Sequence, residues 1–355
     1  MDDEGRRKGD VLMSKIRNSF TIACASLLGA CATVPATGDP AVSVYAIAET
    51  EPVGTENEDA ADDPAIWRNA AEPAASLIVA TDKKGGLYVY GLDGKVRHFL
   101  ARAGLNNVDL VDMGEEGIIV FASDRSDLAN GKIALFRLDP VAATLAPVAT
   151  LSAGPGEAYG ICGYRNADGK LTIYTAPKEG NIGEWSVTLG SKPSARRLRT
   201  MTVPSQPEGC AIDPRDGTLY IGEEDGGIWR FAASRTDGEL VVPVDGRLLV
   251  ADLEGLALVT EGETGGWLYA SSQGDNAYMR FALPSLAPAG RFRIAAGDFG
   301  STEETDGIEA MSGDFGPSFP GGLFIAQDGN NVPHAQNFKM VPLEKIDRML
   351  AEVIE

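Results

Sequence analysis

Carboxylates, rather than histidines or cysteines, dominate the side chains of this sequence that could do chemistry. Of its 355 residues, 51 are Asp or Glu and only two are His, and neither an HExxH pair nor a CxxC pair occurs. Zinc sites draw mainly on histidine and cysteine, whereas hard cations such as Ca²⁺ prefer oxygen ligands. The composition therefore favours a calcium site over a zinc site.

Many of these acids follow short apolar runs and precede Gly or Pro, as in a chain that bends tightly. Six such segments are residues 59–64, 208–209, 223–226, 252–256, 305–309 and 327–331. A single Asp-Gly pair is more often an ordinary turn, and an acidic surface is more often simply solvated. Six segments at corresponding strand ends instead indicate one shared site. Close carboxylates repel by about 4 kcal/mol per pair at an intermediate effective dielectric constant, so such a site calls for bound cations.

The formal net charge of −20 limits the classes of partner. Proteins that bind nucleic acid carry a basic surface, so a nucleic-acid partner is not expected. The charge also opposes simple attraction to an anionic membrane, and to an anionic substrate unless divalent cations neutralise the acids.

The elements that must position these acids are short strands. Apolar runs of four or five residues alternate with turns rich in Gly and Asp, as where residues 87–90 follow Gly85-Gly86. This pattern predicts an all-β sandwich, barrel or propeller. Comparable runs recur at intervals of roughly 45–55 residues, the range of propeller blades, which gives about six blades. The loops of a propeller meet around one central mouth, where acids distant in sequence would converge.

Three further features of the body are predicted: a C-terminal helix, a single domain and the state of two cysteines. An amphipathic helix is predicted at residues 343–354, where one buried stripe consists of Ile346, Met349, Leu350 and Val353. Residues 50–340 show no break in composition, and residues 51–355 are interpreted as a single domain. Cys162 and Cys210 are either a disulfide in an oxidising compartment or two buried thiols.

Residues 1–31 have the pattern of an export leader. A basic stretch with Lys15 and Arg17 follows Met13, which is an alternative start, and the apolar run at residues 20–28 is too short to span a bilayer. Residues 32–50 are interpreted as a tether or as the lead-in to the first strand.

The leader ends in Leu28-Gly29-Ala30-Cys31, which resembles a bacterial lipobox. In that reading Cys31 carries a lipid anchor, and the alternative is an ordinary signal peptide cut near Cys31. The expected location is therefore the bacterial outer membrane, as a lipoprotein, or else the periplasm or the medium.

From about residue 59 to residue 342 the sequence resembles the β-propeller phytases, the calcium-dependent alkaline phytases of the 3-phytase type. The motifs, in order, are DAADDPAIW (59–67), TDKKGGL (81–87), NNVD (106–109), SDR (123–125), KEG (178–180), EG (208–209), GEED (222–225), DLEGL (252–256), SSQG (271–274), TDGI (305–308), FIAQDG (324–329) and QNFKMVP (336–342). The resemblance implies a six-bladed β-propeller with a short C-terminal helix. It also implies several Ca²⁺ ions and hydrolysis of phytate, myo-inositol hexakisphosphate, to lower inositol phosphates and inorganic phosphate.

The resemblance also implies roles for individual residues. The calcium cluster under the scissile phosphate would contain Asp62, Glu208, Glu224, Asp252, Glu254, Gln273 and Asp306. A more structural calcium site would use Asp59, Asp63 and the carbonyls of Pro64 and Val108. The phosphate-contacting wall would contain Lys83, Lys84, Arg125, Tyr159, Lys178 and Glu179. The residues expected to act in catalysis are Lys83, Arg125, Tyr159, Lys178, Glu179 and Glu224.

In this scheme a water molecule shared between calcium ions attacks the phosphate in line, and the cationic wall stabilises the equatorial oxygens. Phytate is expected to arrive as a calcium complex, and the protein is expected to be a monomer. Two departures from the family pattern, Gly300 in place of Asp and Asn330 in place of Glu, weaken a peripheral calcium site. The substitutes there are Asp298, Glu303, Glu304 and Asn331.

Simpler readings of the wall stay open on sequence grounds. Lys83 and Lys84 could form an exposed hairpin pair, Arg125 could pair with Asp127, and Tyr159 could pack in the core. Two alternative functions also stay open: another calcium-dependent propeller hydrolase, such as a lactonase or esterase, or a non-catalytic calcium-binding surface lipoprotein.

Overall fold

A computed structural model of the chain describes residues 38–56 and 59–352. The predicted leader with Met13 and Cys31, and the first part of the predicted tether, lie outside these residues. Within them, no helix is both long enough and apolar enough to cross a bilayer.

The described chain is almost entirely β-structure, arranged as six sheets that are antiparallel except where β1 pairs in parallel with β22. Two short strands come first, β1 (Val42–Val44) and β2 (Ala48–Glu49). Blade 1 contains β3 (Ala61–Trp67), β4 (Leu77–Asp82), β5 (Gly86–Gly91) and β6 (Val96–Ala101). Blade 2 contains β7 (Leu105–Asp112), β8 (Ile118–Asp124), β9 (Asn130–Asp139) and β10 (Thr144–Pro155). Blade 3 contains β11 (Gly160–Arg165), β12 (Leu171–Ala176), β13 (Asn181–Thr188) and β14 (Ser194–Thr202).

The remaining three blades repeat the same order. Blade 4 contains β15 (Pro207–Asp213), β16 (Thr218–Glu223), β17 (Gly227–Phe231) and β18 (Glu239–Pro243). Blade 5 contains β19 (Leu253–Glu261), β20 (Gly265–Ser272), β21 (Ala277–Ala282) and β22 (Ala287–Ile294). Blade 6 contains β23 (Ile308–Ser312), β24 (Gly322–Asp328) and β25 (Asn337–Pro342), and is followed by helix α1 (Leu343–Ala351). The predicted six-bladed β-propeller with one short C-terminal helix is confirmed.

The first strand of each blade contacts the first strand of the next blade, and β23 contacts β3, so the ring is closed. These six inner strands surround a central channel, which contains a cavity of about 280 Å³ lined by residues of all six. Each inner strand therefore presents side chains to one shared axis.

The two N-terminal strands pair with the edge strands of blades 5 and 6. Strand β2 pairs with β25 as the fourth strand of blade 6, and β1 pairs with β22 at the edge of blade 5. Opposite Glu49 in β2 stands Lys339 of β25, whose fully buried ammonium contacts the Glu49 carboxylate at 2.6 Å. Because β2, near the N-terminal end of the described residues, completes the last blade, strand pairing between the two ends of the chain holds the ring closed.

Helix α1 covers the junction between blades 5 and 6. Its residues Ile346 and Leu350 are buried in the cluster that contains Tyr269, Phe292 and Phe324, and Met349 packs against that cluster. These three helix residues follow the predicted stripe, while Val353 lies outside the described residues. Of the two alternatives for the cysteines, the structure has the disulfide. Cys162 of β11 is bonded to Cys210 of β15, and this bond joins the inner strands of blades 3 and 4.

Glycines at the start of the inner strands allow neighbouring blades to approach closely. Gly255 N–H donates to the Asp306 carbonyl at 2.7 Å, and Gly307 N–H donates to the Asp62 carbonyl at 3.0 Å. At Gly209, a Cβ would overlap the carbonyl oxygen of Glu254 in the next blade. The absence of a side chain at these positions therefore sets how tightly the acids beside them are gathered.

We expect Gly209→Ala to lower the free energy of unfolding by about 1–3 kcal/mol, the usual cost of overpacking, because the blades must separate to admit the methyl group. Gly300→Ala is the matched control, since its Cβ would meet Lys339 only at an ordinary 3.6 Å. That change should alter stability by less than about 0.5 kcal/mol. Urea unfolding measures both values, and equal stabilities of the two variants would contradict the close-approach argument.

Candidate active site

One residue of each blade points toward the same mouth of the channel, at the start of the inner strand. In blades 1, 2, 4 and 5 a β-bulge shifts the register across this position, and such bulges re-aim side chains. In blades 3 and 6 the residue just precedes the inner strand. The six residues are Asp62, Asn106, Tyr159, Glu208, Glu254 and Asp306.

Three carboxylates at this mouth form a group that could hold a metal ion. Glu208, Glu224 and Glu254 each offer one oxygen, and these oxygens lie within 4.8 Å of one another. Glu208 and Glu254 are buried at the bulges of β15 and β19, and Glu224 comes from the turn after β16. Asn106 donates to Glu208 Oε1 at 3.2 Å. Asn106 and Tyr159 are the two of the six mouth residues that are not acids.

Two buried carboxylate oxygens in this region, Asp62 Oδ2 and Glu254 Oε2, have no hydrogen-bond partner among the described residues. A buried carboxylate that lacks partners is costly unless it is protonated or paired with a cation. The donor set is all oxygen, as Ca²⁺ requires. The residues therefore fit a hard divalent cation.

The electrostatics of the cluster reflect this crowding. Burial, helped by the nearby Asp62 carboxylate, raises the pKa of Glu208 to about 7. Burial and the Glu208 carboxylate raise the pKa of Glu254 well above its ordinary value. Burial also raises the pKa of Asp306 strongly, although the Lys83 ammonium opposes the shift. In each case burial and neighbouring carboxylates disfavour the charged form of the carboxylate.

Lys83 is part of this cluster rather than an exposed hairpin residue. Its side chain is only 5% exposed, and its ammonium contacts Asp59 Oδ2 at 2.8 Å, Asp62 Oδ1 at 3.0 Å and Asp306 Oδ2 at 3.1 Å. Burial lowers the pKa of Lys83, but the three carboxylates outweigh burial and raise it overall. The ammonium donates hydrogen bonds to Asp59 and Asp306 and forms an ion pair with Asp62. The neighbouring Lys84 is exposed.

The other two residues assigned to the calcium cluster lie at the edge of the mouth, beside blade 5. Gln273 donates to Asp306 Oδ1 at 2.8 Å, and its own N–H donates to the Asp252 carbonyl at 2.9 Å. Burial and the Asp225 carboxylate raise the pKa of Asp252. The mouth therefore brings together all seven residues that the family resemblance assigned to this cluster, although Asp252 stands at its margin.

The residues assigned to a more structural calcium site are divided. Asp63 accepts a hydrogen bond from Val108 N–H at 3.0 Å, and Asp63, Pro64 and Val108 all line the channel cavity. The side chain of Asp59, by contrast, lies at the mouth on Lys83.

Two further acids of the same cavity, Asp109 and Glu309, lie in segments that the sequence analysis singled out but were given no site role there. Burial raises the pKa of Asp109 to about 7, and burial together with Asp109 raises that of Glu309 to about 8. Side chains two residues apart on a strand lie on the same face of the sheet. This period places Asp109 with Asn107, and Glu309 with Gly307, and it is the signal that could have found the two acids.

A cationic wall stands beside the carboxylates, centred on the ring of Tyr159. The Lys178 ammonium lies 4.3 Å from the ring centroid, and the Arg125 guanidinium carbon lies 5.9 Å from it. Tyr159 is half-buried at the mouth rather than in the core. Asp127, the alternative partner of Arg125, accepts a hydrogen bond from Ala129 N–H within its own turn. Arg125 is 3.4 Å from Glu157, an acid that the sequence analysis missed. Burial and the Glu208 carboxylate raise the pKa of Tyr159, so its hydroxyl stays protonated.

Glu179 has a different position from the other wall residues. Its two carboxylate oxygens accept from Glu157 N–H at 3.1 and 3.3 Å. Glu179 therefore contacts the backbone of the loop that holds Tyr159, and it is exposed to solvent.

The two departures from the family pattern, Gly300 and Asn330, lie near Lys339. The Lys339 ammonium contacts Asp328 at 3.1 Å and Asn331 at 3.0 Å, and Gly300 lies beside it. Asn330 donates to Glu303 at 2.8 Å. Asp328 and Glu303 are thus already engaged, the first by a lysine and the second by an amide.

Comparisons with known proteins identify the family of this chain. The family model described as Phytase matches residues 10–355. A 3-phytase of Bacillus subtilis (strain 168) is 36% identical over 330 residues, which cover 87% of this chain and 86% of that protein. A pre-rRNA-processing protein of Schizosaccharomyces pombe, crb3/ipi3, is 25% identical over 165 residues, 45% of this chain and 36% of that protein.

Among solved structures, the PQQ-bound aldose sugar dehydrogenase of Streptomyces coelicolor superposes with a TM-score of 0.52 at 13% identity. The match covers 86% of this chain and 100% of that one. At this level of identity the likeness concerns the fold alone.

The raised pKa of Glu208 leads to a test of stability. Because its pKa is about 7 in the folded protein and about 4.5 when unfolded, the folded state binds more protons between these values. The free energy of unfolding of the metal-free protein should therefore fall as the pH rises from about 4.5 to about 7. Glu208→Gln should reduce that fall.

Urea unfolding in excess chelator, at pH 5 and at pH 8, measures this difference. Glu115→Gln, at an exposed acid in the turn between β7 and β8, at the opposite end of β7 from Asn106, is the control and should behave as the wild type does. The account of the cluster would be contradicted by a Glu208→Gln variant that loses as much stability over this range as the wild type.

Proposed function

The chain belongs to the phytase family, and we propose that its hydrolysis of phytate depends on calcium ions held by the carboxylates of the channel mouth. The observation that carries the proposal is the group of buried carboxylates with unpartnered oxygens, directly beside a cationic wall. An anionic substrate and an acidic site are compatible only if cations lie between them.

The residues that would hold calcium are the seven gathered at the mouth. They are Asp62, Glu208, Glu224, Asp252, Glu254, Gln273 and Asp306. Ca²⁺ takes six to eight oxygen ligands in flexible geometry. The side-chain oxygens of these seven residues are numerous enough to bind more than one calcium ion. A separate ion in the channel would be held by Asp63 with the carbonyls of Pro64 and Val108.

When bound, calcium ions supply positive charge against the phosphate oxygens and lower the pKa of a water molecule. The protein's own cations contribute the rest of the positive charge. Arg125 and Lys178, held across the face of Tyr159, are aimed to bind equatorial phosphate oxygens, and Arg125 has the geometry to donate two parallel hydrogen bonds. The protonated hydroxyl of Tyr159 is a further donor.

Lys83 has a different part in this proposal from the one that the resemblance implies. Because its ammonium is engaged by Asp59, Asp62 and Asp306, it neutralises part of the carboxylate cluster and fixes the spacing between blades 1 and 6. Glu179 holds the loop that carries Tyr159. Contact with phosphate is thus assigned chiefly to Arg125, Tyr159, Lys178 and the exposed Lys84.

The substrate is proposed to arrive as a calcium–phytate complex, since its charge is then reduced before it meets an acidic surface. The protein is proposed to act as a monomer after export, either anchored to the outer membrane through Cys31 or released into the periplasm or the medium. The leader pattern supports export, and so does the disulfide between Cys162 and Cys210, because such bonds persist mainly in oxidising compartments.

Phosphate release from phytate, with and without Ca²⁺, tests the proposal. After removal of bound metal, excess EDTA should abolish release, and added Ca²⁺ should restore it. The same preparation should show no comparable turnover of lactone or simple ester substrates. Undiminished phosphate release in EDTA would sink the calcium dependence, and calcium-induced thermal stabilisation without any release would point to a non-catalytic role.

Two substitutions test the metal-binding part and the phosphate-binding part of the site, one each. Glu224→Gln should lower kcat/KM for phytate by about 100-fold or more, the scale expected when an electrostatic group of an active site is lost. Lys178→Met should cause a loss on the same scale, chiefly by weakening contact with phosphate.

Both variants should keep the circular dichroism spectrum and cooperative thermal unfolding of the wild type, because both side chains lie at the partly exposed rim. Glu115→Gln is the matched control and should retain full activity. Wild-type rates in Glu224→Gln and Lys178→Met would show that the site is assigned to the wrong residues.

A further inference from the structure

Between the two cations of the wall lies Glu157, a carboxylate to which the family resemblance assigns no role. Glu157 Oε1 is 3.4 Å from Arg125 Nη1 and 3.9 Å from Lys178 Nζ, and its side chain is 22% exposed. It is therefore close enough to attract both cations at the surface where phosphate is proposed to bind.

These distances leave both cations available to another anion. Charge-assisted hydrogen bonds between nitrogen and a carboxylate are usually about 2.7–2.9 Å long, so both contacts of Glu157 are loose. Lys83 provides the contrast, because its ammonium contacts three carboxylates at 2.8–3.1 Å. Arg125 and Lys178 are thus held near one carboxylate without being saturated by it.

Glu157 itself is fixed by its backbone. Its N–H donates to the carboxylate of Glu179, and its carbonyl accepts from Lys178 N–H at 3.2 Å. The preceding Gly156 has a φ of +107°, and a Cβ there would overlap the Glu179 carboxylate. Gly156 is also bound to the start of β9, since its carbonyl accepts from Gly131 N–H at 2.9 Å. The loop therefore sets where the Glu157 carboxylate lies.

We propose that Glu157 is a positioning residue that orients Arg125 and Lys178 and, by its negative charge, limits how tightly they bind phosphate. A carboxylate at this place repels a phosphate dianion that binds to the same two cations. The wall then recognises a phosphate group but does not retain the inorganic phosphate that is released. This inference rests on the proposed function, because it concerns the same wall.

Glu157→Gln removes the charge and keeps the shape of the side chain. In the full-length protein with Ca²⁺, the inhibition constant of inorganic phosphate and the KM for phytate should each fall about two- to fivefold. That is the scale of one partly exposed charge. A merely structural role predicts the opposite result, because a loosened wall would raise both constants. Glu157→Asp keeps the charge and should not lower either constant.

Calorimetric titration of inorganic phosphate into the same proteins gives a readout that does not need turnover. Tighter binding in Glu157→Gln than in the wild type and in Glu157→Asp supports the inference. Equal or weaker binding in Glu157→Gln overturns it. Wild-type protein that binds phosphate but releases none from phytate would overturn the proposed function instead, so the two failures are distinguishable.

Discussion

The repulsion among carboxylates that the inner strands bring to one mouth is the constraint on which the rest of this structure depends. Each close pair costs about 4 kcal/mol at an intermediate effective dielectric constant, whereas whole domains are stable by only about 5–15 kcal/mol. Lys83 offsets the charge of Asp62 and Asp306. Glu208 and Glu254 have no comparable partner among the described residues, and their raised pKa values express that lack. Protons or bound cations must supply the difference.

The propeller accommodates this constraint by dividing the mouth into two parts. Blades 1, 4, 5 and 6 contribute acids, while blades 2 and 3 contribute Asn106 and Tyr159 at the equivalent positions. Arg125 and Lys178 stand on the side of Tyr159, so the positive wall and the acidic cluster meet along one boundary. A phosphate group at this boundary would contact cations on both sides, the protein's own on one and bound metal on the other.

The fold and the acids of the site could be predicted from the sequence because both have local signals. Apolar runs between turns mark the strands, and an acid before Gly at a strand start marks Glu208, Glu254 and Asp306. The position of Lys83 could not be predicted, since its contact with Asp306 joins residues 223 apart and depends on closure of the ring. Glu157 likewise carries no local signal, because its role arises from a loop fixed by Glu179.

The central claim is that the buried carboxylates bind calcium, and a calorimetric titration tests it most directly. Ca²⁺ would be titrated into the chelator-stripped, full-length protein and into a variant that combines Glu208→Gln with Glu254→Gln. The account predicts that the wild type binds more than one ion and that the variant loses at least one of them. Binding of the same number of ions with the same affinity by both proteins, or no binding by the wild type, would contradict it.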